Sequence, residues 1–469
     1  MRKPTKTEAI IPIVAMFVLL GVGYGYYKLP IQVLLLLAAF IAFLVGKRVG
    51  LDWDTMMSGI TEKVSSSMIS IFVMICVGAL IGTWIVSGVI PMMIYYGIKL
   101  INPRFLLVTA FIVTAIISVF TGTSFGSAGT AGVAIMGIAY AQGVPLPYAA
   151  GAVISGAVFG DKLSPFSDTT ILAPIAVGCN LYDHIKHMMY TTGAATILSL
   201  IVFTIIGFNT PHSLLSDNEK VTLMLTGLSS IFKFSWLLII PPIIVFVGAY
   251  TKKPIIPMLL LSSVVAVLLA IFVQGFSINT ALDALVKGFS VDMLQTRGVD
   301  TSSIVPEIAT LLNRGGMVGM MSTVLLILCA FSFAGIVSKV GCMEVILSMI
   351  VSKVKSVGKL ILSTVIATIL MSIFTGSSYL AILIPGEMFK DLYKKWGLHA
   401  KNLSRTLEDS GTCVVPLVPW SIAGIYMSTT LGVPTLEYLP FAVLCYSSFV
   451  FAIIFGFTGF SIAKIKNKD

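Results

Sequence analysis

The sequence predicts an all-α polytopic membrane protein with two inverted-topology repeats, each with about five crossings plus one re-entrant hairpin and an interrupted helix. Three observations carry that expectation. Apolar runs of about 20 residues recur from end to end, the length that crosses a hydrocarbon core of about 30 Å. Hydrophobic residues make up 57% of the chain and charged residues 11%, against roughly 25% charged in a soluble domain. Finally, Ser118-Val-Phe-Thr-Gly-Thr-Ser124 returns as Ser372-Ile-Phe-Thr-Gly-Ser-Ser378, 254 positions later. In lipid only helices and closed barrels satisfy the backbone, and runs this long argue for helices.

Taken in order, the first run is 10–27. It follows Arg2, Lys3 and Lys6, is too long for a secretory leader and lacks a small-residue cleavage site, so it reads as a retained helix. Further segments fall at 30–47, 66–97, 105–140, 148–180, 190–208, 234–251, 255–275, 317–350, 360–390, 403–432 and 438–460. Segments 105–140 and 360–390 carry Thr121-Gly122-Thr123-Ser124 and Thr375-Gly376-Ser377-Ser378 at their middles. Glycine and small hydroxyls at mid-depth predict re-entrant hairpins, since non-helical backbone is tolerated there only inside protein or beside a cavity. Segment 148–180 is broken by Pro165, and 403–432 by Pro416 and Pro419. Residues 1–208 then form a first repeat, 209–233 a connecting loop and 234–469 a second repeat. An odd number of crossings per repeat inverts the second copy, the pattern of secondary transporters with a site at the midplane.

Charge tests this layout. With both termini cytoplasmic, the hairpins returning to the side they leave and the other ten segments crossing, 19 Lys and Arg fall inside and 8 outside. Lys162, Lys339 and Arg405 lie within segments. That bias follows the positive-inside rule and accounts for the net charge of +10 without nucleic acid. No Walker A sequence occurs, which argues against ATP-driven pumping. The polar stretch 276–314 is too short for a catalytic domain, and no enzyme activity is expected. The six cysteines have no metal-like spacing and read as small buried hydrophobes. His184, His187, His212 and His399 are expected in loops.

Four clusters place polar groups where a lipid-depth helix has none. The first tip offers Thr121, Thr123 and Ser124, hard oxygen donors suited to Na⁺, although Gly122 and Gly126 also suit tight helix packing. The second is Gly160-Asp161-Lys162-Leu163-Ser164-Pro165-Phe166-Ser167-Asp168-Thr169-Thr170, midway along its segment. Intramembrane carboxylates cost several kcal/mol and are functional candidates by default. A break beside Asp161 and Asp168 frees carbonyls, and one carboxylate can hold either Na⁺ or H⁺. The plain alternative pairs Asp161 with Lys162 or another basic group as helix–helix glue. In the second half Glu408, Asp409, Ser410 and Thr412 are the counterpart, placed near the start of 403–432 and open between site and interface. The last cluster is Thr375, Ser377, Ser378 and Tyr379, with Trp420 opposite. Its Tyr379 replaces Phe125, an asymmetry that suits an organic solute.

On the first tip, the Gly160–Thr170 segment and Phe374-Thr-Gly-Ser-Ser, nearly the whole chain resembles the NhaC-type sodium/proton antiporter family. That family belongs to a larger superfamily of inverted-repeat ion transporters. The resemblance implies Na⁺/H⁺ exchange by alternating access in the bacterial cytoplasmic membrane. Its cation and proton site would use Asp161, Ser164, Ser167, Asp168 and Thr169, with Na⁺ at Asp161, Ser124 and Asp168. No cofactor is implied beyond the transported ions. Other members exchange malate for lactate or carry amino acids, so a coupled organic-acid or amino-acid exchanger is the alternative; a cation channel is a more distant one. An organic carboxylate would want Arg405, Lys162 or the helix N-termini at the tips as its partner. The implied partners are the lipid bilayer, Na⁺, H⁺ and such a solute, with a homodimer left open.

Overall fold

The computed structural model describes residues 2–27, 29–210, 218–251, 253–301, 304–351 and 354–465. Lys28, His212, Lys252, Lys353, Lys466 and Lys468, used or placed above, lie outside the described residues. Helices follow one another throughout, and the described residues contain no strand, only two isolated bridges. The first seven are α1 Lys6–Tyr26, α2 Ile31–Val49, α3 Trp53–Val86, α4 Val89–Leu100, α5 Leu106–Thr121, α6 Ser124–Ala141 and α7 Leu146–Leu163. Then come α8 Asp168–Val177, α9 Leu181–Asn209, α10 Asn218–Ile231, α11 Ile240–Tyr250, α12 Ile255–Phe272, α13 Ile278–Lys287 and α14 Pro306–Leu312. The last are α15 Met321–Val340, α16 Cys342–Val351, α17 Val357–Thr375, α18 Ser378–Lys395, α19 Ala400–Ser410, α20 Ile422–Leu431 and α21 Val443–Thr458. Among the described residues, nine helices are long and apolar enough to cross a membrane, or up to twelve if bent pairs count as single spans.

Several expected boundaries change, each for a local reason. Segment 66–97 is two helices: α3 begins at Trp53, where the Asp52 side chain caps the Thr55 N–H, and ends before Gly88 at φ +87°. Segment 317–350 divides likewise at Gly341, with φ +79°. Part of the expected 209–233 loop is the helix α10, Asn218–Ile231. The helix expected at 190 starts at Leu181, because Asn180 caps the Tyr182 and Asp183 N–H groups. His184 and His187 are therefore buried helix residues rather than loop residues, bonded to Ser404 (2.8 Å) and Asn402 (3.1 Å). His399 caps α19 at the Lys401 N–H.

In both segments expected to be hairpins, the second helix runs back beside the first. The Gln142 side chain, just past α6, donates to the Ile101 carbonyl just before α5, at 2.6 Å. In the second hairpin Thr364 near the start meets Tyr393 near the end, at 3.2 Å between hydroxyls. The core of the molecule lies along α6, where 89% of the 18-residue window is buried, while α2 and α9 show 39% and 33% and turn apolar faces outward. On α2 those outward residues include Val33, Leu36, Leu37, Phe40 and Leu44. Such a surface is stable against lipid, not water. This is a multi-pass membrane protein.

Candidate functional site

The two hairpin tips share one backbone geometry. Gly122 (φ +65°) and Gly376 (φ +61°) take the left-handed conformation that ends α5 and α17. L side chains pay roughly 1–2 kcal/mol there. Thr123 and Ser377 are then extended, and α6 and α18 begin at once. The Thr121 hydroxyl reaches the Thr123 carbonyl (3.3 Å), and Thr375 reaches that of Ser377 (3.4 Å). Thr375 also donates to Met371 at 2.7 Å, and its oxygen takes the Ser377 N–H.

Each tip rests on a helix break. α5 and α7 run parallel and in close contact: Thr114 donates to the Val153 carbonyl (3.2 Å) and Ser118 to that of Ala157 (2.6 Å). A Cβ on Gly160 would lie 2.5 Å from that of Ser118, so glycine sets the approach. After α7 the chain turns extended at Ser164, whose hydroxyl donates to the Val119 carbonyl at 2.7 Å. Pro165-Phe166-Ser167 then passes beneath the tip, where a Cβ on Gly122 would meet Phe166 at 2.9 Å. In the second half Pro419-Trp420-Ser421 sits against Gly376: Ile422 N–H donates to the Gly376 carbonyl (3.3 Å) and the Trp420 indole to Ile373 (2.6 Å). These two tripeptides are themselves 254 positions apart. Trp420 therefore holds the second break to its tip.

Asp161, partly buried on the last turn of α7, accepts the Ser124 N–H at 3.1 Å. That N–H is one of the unpaired donors opening α6, so the helix dipole favours the carboxylate. Asp168 is exposed at the first turn of α8 and accepts the Tyr379 hydroxyl at 3.0 Å. Ser167 and Thr169 pair hydroxyl to hydroxyl at 3.2 Å beside it. Each tip is also touched by the opposite half. Tyr379 of the second hairpin reaches Asp168, while Tyr426 of α20 donates to the Phe125 carbonyl (2.7 Å) and stacks on its ring at 4.4 Å. Asp161, Asp168, Ser124, Ser164, Ser167, Thr169, Thr121 and Thr123 are thus gathered at one tip and break. Not all of the freed carbonyls are available, because the Thr170 hydroxyl takes those of Asp161 (3.2 Å) and Lys162 (3.0 Å). Among the described residues no group of three or more His, Cys, Asp or Glu meets in metal-binding fashion. A cation held here would draw on two carboxylates plus hydroxyl and carbonyl oxygens.

Lys162, one position from Asp161, points elsewhere. Its ammonium pairs with Asp409, and both side chains are fully buried. Thr191 of α9 donates to the same Asp409 oxygen at 3.0 Å. Adjacent helical residues do not share a face, so an Asp161–Lys162 pair was never the local option. Glu408, Asp409 and Ser410, expected near the start of their segment, are fully enclosed, as is nearly every polar residue of α19. Ser410 donates to Thr406 at 2.5 Å. Arg405 is buried and donates to the Ser461 hydroxyl at 2.8 Å. Neither cation foreseen for an organic carboxylate therefore faces the Asp161–Asp168 cluster. Tyr379 approaches it from the second tip, where Ser378 opens α18, whereas Glu408, Asp409, Ser410 and Thr412 form a separate polar interior. Sequence reasoning missed the Lys162–Asp409 pair; the available signal was one isolated cation and one isolated acid pair in matching breaks of opposite halves.

The sequence profile of the Na⁺/H⁺ antiporter family matches residues 8–186 and 156–460. A protein named as an uncharacterized Na⁺/H⁺ antiporter of Haemophilus influenzae is 47% identical, over 99% of this chain and 98% of its own length. The malate-2H⁺/Na⁺-lactate antiporter of Bacillus subtilis is 37% identical, over 99% of this chain and 97% of its own. The Na⁺/H⁺ antiporter NhaC of Alkalihalophilus pseudofirmus is 37% identical, over 93% of this chain and 91% of its own. By profile and by full-length similarity, the chain belongs to the Na⁺/H⁺ antiporter family.

Proposed function

We propose that the protein is a secondary carrier, not an enzyme, that exchanges Na⁺ for H⁺ by alternating access. The observation that carries this reading is the pair of carboxylates at one helix break. Asp161 is tied to the opening of α6, and Asp168, exposed, is tied to the opposite half through Tyr379. Na⁺ binds between Asp161, Asp168 and the oxygens of Ser124, Ser164, Ser167 and Thr169, with Thr121 and Thr123 shaping the tip. In our reading the two halves are inverted repeats, and the cross-contacts at Tyr379 and Tyr426 break and reform as one half rocks against the other. The carrier sits in a bacterial cytoplasmic membrane with both termini on the cytoplasmic side, as the charge bias argues.

A coupled exchanger of small organic acids is the second reading, favoured by the malate/lactate relative and by the half-exposed Tyr379 beside Asp168. Against it stand the engaged partners of Lys162 and Arg405. Proteoliposomes holding a pH-sensitive dye separate the two. Na⁺-driven proton flux is expected with no organic solute present. Flux that appears only with malate, lactate or an amino acid inside would overturn the plain antiporter, and currents far above carrier turnover would indicate a channel.

A further inference from the structure

Twelve buried side-chain nitrogen and oxygen atoms make no hydrogen bond among the described residues, and eight of them cluster on α19, the turn after it and the facing side of α9. They are both oxygens of Glu408, the second oxygen of Asp409, Thr412 Oγ1, two nitrogens of Arg405, His184 Nε2 and Thr192 Oγ1. A folded protein leaves few such atoms, and each calls for a reason. Glu408 is the extreme case: fully buried inside a membrane protein, its carboxylate has no hydrogen bond of normal length and only the Thr412 hydroxyl beside it as a donor. A bare carboxylate there is far costlier than a neutral acid, while the Lys162 ammonium nearby is already committed to Asp409.

We infer that Glu408 is a proton-carrying site separate from the Na⁺ carboxylates, coupled to them through Lys162. This rests on placing Na⁺ at Asp161. The coupling is one of charge. With a proton on Glu408 and no Na⁺ bound, the five groups Asp161, Asp168, Asp409, Lys162 and Glu408 sum to minus two. With Na⁺ on Asp161 and Glu408 ionised they again sum to minus two. Entry of Na⁺ lets the O–H bond of Glu408 break, the proton leaving to water on the open side and the electron pair staying on the carboxylate. Lys162 is then shared between Asp409 and Glu408. Asp161 and Lys162 are neighbours on one helical turn, so a shift at either is felt by the other. Buried charge stays constant only when one ion replaces the other, which makes exchange the low-cost path.

The groups around Glu408 are named by helix. α7 supplies Asp161 and Lys162, its own helix Asp409, and the following turn Thr412 and Cys413; Arg405 of the same helix faces Asp409. One step further out, His184 of α9 and Cys445 of α21 face Lys162, while Tyr393 of α18 and His187 and Tyr190 of α9 face Arg405. α8, also against α19, carries Asp168 at its first turn, the group already counted beside Asp161.

The test uses purified full-length protein in proteoliposomes and two readouts: ²²Na⁺ counterflow, which needs no proton, and Na⁺-driven proton flux. Glu408→Gln, which mimics the neutral acid, is expected to keep counterflow and lose proton flux by roughly tenfold or more, within the range of ordinary site-to-site coupling. Asp161→Asn should lose both. Full proton flux in Glu408→Gln overturns the proposal; loss of counterflow in a folded Glu408→Gln also overturns it, by assigning the residue to the cation site. Counterflow surviving in Asp161→Asn would instead sink the Na⁺ placement. Should Glu408→Gln fail to fold, infrared difference spectra on adding Na⁺ decide the matter. Wild type should lose the band of a protonated carboxylic acid, and Glu408→Asp should shift that band; an absent or unshifted band overturns the proposal.

Discussion

Residue identity matters most at the first hairpin tip. Ser124 engages Asp161 with both its backbone N–H, at 3.1 Å, and its side chain. Ser124→Ala should leave the tip folded and weaken apparent Na⁺ affinity by about fivefold, the equivalent of one lost ligand worth about 1 kcal/mol. The Na⁺ dependence of proton flux measures this directly, and an unchanged half-saturation point would make the tip a packing device. These residues were readable in the sequence because Thr, Ser and Asp within an apolar run have few structural uses. Thr170 was not foreseen in its role, since capping the carbonyls of Asp161 and Lys162 depends on how sharply the chain turns at Ser164.

Among the elements, α19 departs furthest from what a membrane segment should be. Its sequence, Ala400-Lys-Asn-Leu-Ser-Arg-Thr-Leu-Glu-Asp-Ser410, is polar on most faces, yet residues 402–410 are all buried. It survives because α9 and α7 present His184, His187, Thr191 and Lys162 to it. Removing one member of its central pair should therefore be worse than removing both. Lys162→Met leaves Asp409 charged and unpaired, an expected loss of about 3–5 kcal/mol, while Lys162→Met with Asp409→Leu should recover most of it. Thermal unfolding in detergent reads both, and equal losses in the single and double variants would refute the pair's role. The breaks themselves were legible from Gly and Pro. Their partners were not, because 247 residues separate Lys162 from Asp409 and no local pattern announces which buried charges meet.

On the scale of the whole molecule, contacts sort the loops into two sets. Arg2 donates to the Val49 carbonyl, Arg48 pairs with Glu8 at 3.1 Å, and the 397–402 turn pairs with residues 463–465 at the other end of the chain. Among loops that the charge bias places on the other side, Arg297 reaches the Ile231 carbonyl (3.1 Å), Lys233 meets Gln274, and Arg104 lies over Phe208. Each of these contacts joins loops that the charge-based layout assigns to one same side. Cysteine placed at Lys47 or Lys394 should react with an impermeant thiol reagent only from the cytoplasmic side, and at Lys233 or Lys287 only from the other. The native cysteines are buried or half-buried and give a low background. Labelling of Lys47→Cys and Lys233→Cys from one side would refute the topology.

The distance in sequence between Lys162 and Asp409 also has a meaning for biosynthesis. At roughly 5–20 residues per second, a ribosome needs on the order of 10–50 s to reach the acid after the lysine has emerged. Throughout that interval the first half stands in the bilayer with a cation that has no counter-charge, and α19, too polar to insert alone, must later be received by helices already in place. The nascent first half is thus an incomplete object, and the closing of one ion pair marks the moment its buried lysine is neutralised.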